Sequence, residues 1–211
     1  MAEGLSKTTG SIVKYKNVAD ELVEKALALY RDLDFKTVSR WKEDNPTKKA
    51  IGCLPVYVPR ELIHAAGMLP VGLIGHGDIE IIRGDAYFQS YICHLPRSVV
   101  DMGVSGRLDS LDGCIFPAIC DVIRNLSGMW KIMFPDKYSR YLDVPQNFDP
   151  EIGGKFYRTE LEHIRDDLEQ LGGCKITDEA LRNSIAEYNE NRSLINQLYR
   201  GRSEWPWKFP T

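Results

Sequence analysis

Apolar residues recur at helical spacing near both ends of this 211-residue chain. In the first such run they stand three or four residues apart, a second run covers residues 36–42, and two longer runs occupy 156–171 and the stretch after 177. Apolar positions at this period are typical of amphipathic helices. The pattern therefore predicts helices at these four places. The apolar positions of the first helix are Val18, Leu22, Ala26 and Leu29.

The middle of the chain carries shorter apolar-rich runs of strand length. Those at residues 50–57, 70–75, 113–118 and 139–144 are interpreted as strands. A short helix opened by Pro59 and closed by Gly67 separates the first two. Strand, helix and strand in so few residues imply parallel pairing with a right-handed crossover. The pattern therefore predicts an α/β fold, with a parallel sheet of three or four strands in a Rossmann-like or flavodoxin-like domain.

Helical segments are predicted before and after this sheet domain in the sequence. Residues 1–49 form an N-terminal helical segment, residues 50–150 the α/β domain, and residues 151–211 the C-terminal helices that lead to a second domain. The aromatic, proline-rich end from Trp205 to Pro210 is expected to dock on that domain or on a partner subunit.

Two of the five cysteines lie where helices are predicted to begin. Cys93 stands shortly before Pro96, and proline fits the first turn of a helix. Cys120 stands between a predicted strand and Asp121, a favourable N-cap. The partial positive charge of a helix N-terminus favours the thiolate form, which binds metals. From spacing alone two interpretations remain open, metal ligands or small buried apolar residues, because the gap matches no compact metal motif.

Charge, apolar run length and cysteine spacing exclude several classes of protein. A net charge of -3 without a basic run argues against a nucleic-acid surface. No apolar run approaches the roughly 20 residues that span a bilayer, and the first residues lack a signal-peptide core. Five irregularly spaced cysteines do not suggest a secreted disulfide framework. We therefore expect a cytoplasmic protein, without a membrane or nucleic-acid partner, whose cysteines are reduced thiols or metal ligands.

Glycine motifs do not indicate nucleotide binding by this chain. The sequence has no G-x-x-x-x-G-K-[ST] motif, so ATP, if used, is expected to bind another subunit. Gly75-His76-Gly77-Asp78 follows a predicted strand and is expected to form a turn that a ligand can approach.

Three segments carry a family resemblance. GDAYFQSYICHLPRS, LDGCIFPAICDVIRNLSGMW and the upstream YVPRELIHAAGMLP resemble, in order, the benzoyl-CoA reductase and 2-hydroxyacyl-CoA dehydratase family. The likeness extends from YRDLDF to the final WKFP. It implies that Cys93 and Cys120 help to bind a [4Fe-4S] cluster, whose third cysteine ligand is expected outside this chain.

The resemblance also implies an activity. The chain would belong to an iron-sulfur subunit of an ATP-dependent benzoyl-CoA reductase, which reduces the aromatic ring of benzoyl-CoA to a cyclic diene with electrons from ferredoxin. The implied partners are a homologous iron-sulfur subunit and ATPase activator subunits. A 2-hydroxyacyl-CoA dehydratase subunit is the first alternative. A non-catalytic α/β interaction module, with purely structural cysteines, is the second.

Other chemically capable residues have weaker support. The resemblance places Tyr57 and Glu61 near the cluster and acyl-CoA site. His64 is either catalytic or an ordinary histidine near the surface, because a neutral-range pKa is useful but not diagnostic. The three remaining cysteines are expected to be bystanders, two in strands and one in a loop. They are Cys53, Cys114 and Cys174.

Overall fold

The computed structural model describes residues 18–75 and 80–207. The predicted turn at Gly75-His76-Gly77-Asp78 lies outside these ranges except for Gly75. The chain divides into two compact units, one ending at Leu33 and the other beginning at Asp34. The first unit contains helix α1 (Val18–Tyr30), as the apolar period predicted.

The second unit alternates strands and helices. Its elements, in order, are α2 (Lys36–Asp44), β1 (Ala50–Cys53), α3 (Arg60–Ala65), β2 (Leu69–Gly72), α4 (His94–Val104), β3 (Gly113–Pro117), α5 (Asp121–Met133), β4 (Tyr138–Leu142), α6 (Lys155–Gly172) and α7 (Asp178–Glu204). A 3-10 turn (Gly84–Ala86) precedes α4, and a π-helix (Pro150–Gly154) precedes α6. Among the described residues, no helix is sufficiently long and apolar to cross a membrane.

The four strands form one parallel sheet in the order β2-β1-β3-β4, which confirms the predicted α/β class. β1 is shorter than the predicted run 50–57. Its ladder ends when Leu54 N–H donates to the Ile115 carbonyl at 3.3 Å. Beyond that point the backbone turns left-handed at Val56 (φ 67°) and Tyr57 (φ 59°), a conformation that cannot continue a strand.

Helices cover both faces of the sheet. On one face Ile51 and Ile115 pack with Leu62 of α3 and with Ile164 of α6 in a buried apolar cluster. On the other face Phe116 packs against Trp130 of α5, with ring centroids 5.7 Å apart. Burial of apolar surface on both faces explains why the central strands contain almost no polar side chains.

The boundaries of the later helices follow local signals. Thr177 accepts a hydrogen bond from Ala180 N–H at 3.1 Å and is the N-cap of α7. Gly173 ends α6 in the left-handed conformation that glycine favours (φ 67°). One expected cap is wrong: Asp121 is the first residue of α5 and the extended Cys120 is its N-cap. Asp121 remains in the first turn, where a carboxylate favours the helix dipole.

Candidate functional site

The strand order identifies the edge of the sheet where a ligand site is expected. β1 leads through α3 to β2 on one side, whereas β3 leads through α5 to β4 on the other. The connections therefore diverge between β1 and β3. In open parallel sheets, ligands bind beyond the carboxyl ends of the strands at such a point. Cys53 and Pro117 end these two strands.

Cys93 and Cys120 are both helix N-caps in the structure. Cys93 (φ -59°, ψ 158°) precedes α4, and Cys120 (φ -162°, ψ 169°) precedes α5. Both are free and exposed. The crossovers that contain α4 and α5 both lead from β2 towards β4 in the strand order. Right-handed connections, the general rule for parallel strands, place both helices on the same face, and the two helices contact each other. Each helix starts at the carboxyl edge, so the two thiols share one edge and one face, while their convergence on a single cleft stays a prediction.

A cavity of about 510 Å³ opens beside Cys120. Its polar groups follow the carboxyl ends of β3 and β4, where sequence analysis had identified only Cys120. Arg124 Nε donates to the hydroxyl oxygen of Tyr141 at 3.3 Å, and its guanidinium carbon lies 5.4 Å from the ring centroid. The hydrogen bond to Tyr141 raises the pKa of Arg124. Other residues that line the cavity include Asp121, Asp143, Asn147, Ile119, Val144 and Phe156.

A second, smaller cavity of about 250 Å³ lies at the ends of β1 and β2. Tyr57, one of the predicted site residues, lines this cavity together with Cys53 and Arg60. Both Val56 and Tyr57 have positive φ. This conformation is an outlier for the β-branched Val56, and such outliers are common near functional sites. Sequence reasoning missed this strain, because neither residue type suggests a left-handed backbone.

Glu61 and His64 face α7. Glu61 Oε1 accepts a hydrogen bond from Arg192 at 2.6 Å. The backbone carbonyl of Glu61 accepts one from the Ser184 hydroxyl at 2.9 Å. His64 Nδ1 lies 3.0 Å from the same hydroxyl, and its Nε2 lies 3.8 Å from Glu187. These contacts join α3 to α7, and neither Glu61 nor His64 lines the cavity beside Cys120.

The three remaining cysteines occupy the predicted surroundings. Cys53 and Cys114 are buried in β1 and β3. Burial raises the pKa of the Cys53 thiol to about 12 and also raises that of Cys114, which favours the protonated thiol in both. Cys174 is exposed in the turn between α6 and α7, where its Sγ donates to the carbonyl of Ala66 at 3.9 Å.

The thiols at the sheet edge fit part of a cluster site. An iron-sulfur cluster is normally held by about four ligands, mostly cysteine thiolates. Cys93 and Cys120 supply two accessible sulfur donors, which is the right donor type. Within residues 18–75 and 80–207, no group of three or more His, Cys, Asp or Glu side chains could hold a metal ion.

Comparison with known proteins identifies the family. A family model described as "2-hydroxyglutaryl-CoA dehydratase, D-component" matches residues 55–211. A benzoyl-CoA reductase subunit of Thauera aromatica is 57% identical over 192 residues, which are 90% of this chain and 50% of the relative. Two dehydratase subunits are more distant. The beta subunit of (R)-2-hydroxyglutaryl-CoA dehydratase of Acidaminococcus fermentans is 35% identical over 164 residues, covering 77% of this chain and 43% of the relative.

The beta subunit of lactoyl-CoA dehydratase of Anaerotignum propionicum is also 35% identical, over 159 residues that cover 75% of this chain and 42% of the relative. The chain spans about half the length of the curated relatives it matches. Its similarity to the reductase subunit and to the dehydratase subunits confirms the resemblance carried by the three sequence segments. The chain belongs to the 2-hydroxyglutaryl-CoA dehydratase D-component family.

Proposed function

We propose that this chain forms part of an iron-sulfur subunit of an ATP-dependent benzoyl-CoA reductase. The observation that carries the proposal is the 57% identity to the benzoyl-CoA reductase subunit of Thauera aromatica over 90% of the chain. The matched dehydratase subunits are only 35% identical. The complex would reduce the aromatic ring of benzoyl-CoA to a cyclic diene.

In this proposal Cys93 and Cys120 are ligands of a [4Fe-4S] cluster, with further ligands from outside the described residues. When bound, such a cluster supplies single electrons of low potential. The chain supplies two exposed thiols, each at the N-cap of a helix. Their common edge and face of the sheet support this role.

The cavity beside Cys120 suits the acyl group of the substrate. Its volume of about 510 Å³ falls within the range of small-molecule sites. Ile119, Val144 and Phe156 provide an apolar wall, and Arg124 and Tyr141 provide hydrogen-bonding groups. The apolar wall would exclude water from the ring, and the polar groups would orient the thioester end.

The proposal assigns the other steps to partners. Because the sequence has no phosphate-binding loop, the ATPase activator subunits bind ATP. Reduced ferredoxin supplies the electrons, and a homologous iron-sulfur subunit completes the complex in the cytoplasm. This division is physically reasonable, since electron chemistry belongs to the cofactor while protein groups bind and orient.

A 2-hydroxyacyl-CoA dehydratase subunit is the second candidate, supported by the family model and by the two dehydratase relatives. The test is an anaerobic preparation of the complete complex, assayed with ATP and reduced ferredoxin on benzoyl-CoA and on 2-hydroxyglutaryl-CoA. Ring reduction supports the reductase, and loss of water from 2-hydroxyglutaryl-CoA supports the dehydratase. A colourless complex without iron, inactive on both substrates, would leave only a non-catalytic interaction module.

The cysteine ligands are tested in the same complex. Cys93→Ala and Cys120→Ala should each lose iron and ring reduction together. Cys174→Ala is the matched control, since it removes an exposed thiol from the turn between α6 and α7. Retention of iron and activity by either of the first two variants would refute the assignment of that cysteine.

A further inference from the structure

The segment that leads into Cys93, residues 82–92, is hydrogen-bonded to α4 at the segment's N-terminal end. The carboxylate of Asp101, on the third turn of α4, is buried, and its Oδ1 accepts hydrogen bonds from three consecutive backbone N–H groups. The donors are Ile82 at 3.0 Å, Arg83 at 2.6 Å and Gly84 at 2.9 Å. Burial alone would raise the pKa of Asp101, but these three N–H groups lower it below its usual value. A charged carboxylate therefore fixes the start of the segment.

Arg97 fastens the same segment at two further points. Its Nε and Nη2 donate to Asp85 Oδ1 at 2.8 and 2.5 Å, a charge-assisted pair. Its Nη1 donates to the carbonyl oxygen of Ile92 at 3.3 Å. Ile92 is the residue directly before Cys93. One guanidinium group thus connects both ends of residues 85–92 to the first turns of α4.

Much of the segment between these contacts is exposed. Between the two Arg97 contacts, the side chain of Tyr91 is 81% exposed and Tyr87 is 45% exposed. At its start the backbone lies directly on α4, since a Cβ on Gly84 would clash with the Arg97 carbonyl oxygen. A segment with few buried apolar contacts opens readily unless polar contacts restrain it.

We propose that Arg97 and Asp101 are positioning residues that hold the thiol of Cys93 in place for metal binding. The inference rests on the proposed function, because it takes Cys93 as a cluster ligand. Groups that orient metal ligands commonly change metal affinity or activity by about 10- to 100-fold when they are replaced. Neither residue is proposed as a ligand of the metal. Their effect passes through the backbone of Ile92 and Cys93.

The first test uses the complete complex with its cluster bound. Arg97→Gln should release iron to a chelator about 10-fold faster than wild type, and the electron paramagnetic resonance spectrum of the reduced cluster should change. Asp101→Asn, a second variant, should act in the same direction. Arg158→Gln is the matched control: Arg158 Nε also donates to a carboxylate, Glu162 at 2.9 Å, but on the exposed surface of α6. It should leave both measurements unchanged.

The second test needs no cluster. In the 211-residue chain, chymotrypsin should cut after Tyr87 and Tyr91 several-fold faster in Arg97→Gln than in wild type or in Arg158→Gln. The thermal midpoint of unfolding should stay near the wild-type value, which separates loss of position from loss of fold. Equal cleavage rates in all three proteins would show that Arg97 does not restrain the segment.

Cys93→Ala separates the ligand role of Cys93 from the positioning role of Arg97. If Cys93→Ala loses iron while Arg97→Gln retains it at the wild-type rate, Cys93 is a ligand and the positioning role is overturned. If Cys93→Ala retains iron, the ligand assignment itself is wrong, and with it the role proposed for Arg97. Loss of iron in Cys93→Ala and faster release of iron in Arg97→Gln, with an unchanged Arg158→Gln, is the result we expect.

Discussion

His64 and Ser184, 120 residues apart in the chain, are joined by a hydrogen bond of 3.0 Å between the ring Nδ1 and the hydroxyl oxygen. The hydroxyl of Ser184 donates its only proton to the carbonyl of Glu61 at 2.9 Å. His64 must therefore donate through Nδ1–H, which leaves Nε2 facing Glu187 at 3.8 Å. The arrangement makes His64 a connection between α3 and α7.

We predict that His64→Ala lowers the free energy of unfolding by about 1 kcal/mol, because the buried Ser184 hydroxyl loses a partner. Iron content and ring reduction per folded complex should stay at the wild-type level. Chemical denaturation and the assay of the complex measure the two quantities. His163→Ala is the control, because it removes an exposed ring whose Nδ1 lies 3.6 Å from Glu160. Loss of activity with unchanged stability would instead give His64 a catalytic role.

Gly52 is required by the close approach of β1 to its surroundings. A Cβ at this position would come within 2.8 Å of both Cys114 Sγ and Leu73 Cδ1. We predict that Gly52→Ala destabilises the fold by about 1–3 kcal/mol through overpacking. Gly72→Ala in β2 is the control, since a Cβ there meets nothing within 4 Å. The measurement is the denaturation midpoint of each variant. Equal midpoints would show that the core around Gly52 accommodates the added methyl group.

Thiol reactivity should divide the five cysteines into two groups. Burial raises the pKa of the Cys53 thiol to about 12, so at pH 8 very little of it is the reactive thiolate. Cys114 is equally protected by burial. We expect iodoacetamide to label Cys93, Cys120 and Cys174 in the folded chain. The buried pair should react only after unfolding, as followed by mass spectrometry. Rapid labelling of Cys114 in the folded chain would contradict the burial of β3.

Acid stability should depend on Asp112. Burial alone would raise the pKa of this carboxyl, but hydrogen bonds from Lys42 Nζ at 2.6 Å and from Ala50 N–H at 2.8 Å lower it below its usual value. An acid with a depressed pKa stabilises the fold above the pKa of the unfolded chain, about 4. That contribution disappears as the pH falls through the folded-state pKa.

We therefore predict that Asp112→Asn costs about 2 kcal/mol at pH 7 and progressively less as the pH falls below about 4. Unfolding measured across this range tests the slope. Asp34→Asn serves as the control, because the ion pairs that Asp34 makes are longer, 3.5 Å to the exposed Lys36 and 3.6 Å to Arg107. A constant difference at every pH would mean that Asp112 stabilises the fold by shape alone.

The isolated chain should hold little cluster. In the proposed function, Cys93 and Cys120 are two of the about four ligands that a [4Fe-4S] cluster needs. After anaerobic reconstitution with iron and sulfide, we expect far less than one cluster per chain and no ring reduction, even with ATP and an electron donor. Iron and sulfide analysis is the measurement. A stoichiometric cluster would mean that Cys53, Cys114 or Cys174 is a ligand.

Local sequence signals determined most elements of the fold. The apolar periods located α1, α6 and α7, and the short apolar runs located all four strands. Pro96 indicated that Cys93 stands at the start of a helix. The predicted strand before Cys120 and the residue Asp121 after it indicated the same for Cys120. Such signals act over one or two turns, which is why they can be recognised without a structure. The length of β1 was overestimated, because nothing in Val56 or Tyr57 indicates a positive φ.

Tertiary structure alone decided which residues meet. The pairing of β1 with β3 across more than 60 residues, and the placement of α4 and α5 on one face, depend on strand order and crossover hand rather than on any period. The same holds for the cavity between Cys120 and Tyr141 and for the bond from His64 to Ser184. For Arg97, the sequence and the tertiary structure each supply one part. Its side chain type is evident in the sequence, but its hold on Asp85 and Ile92 depends on how the chain returns along α4.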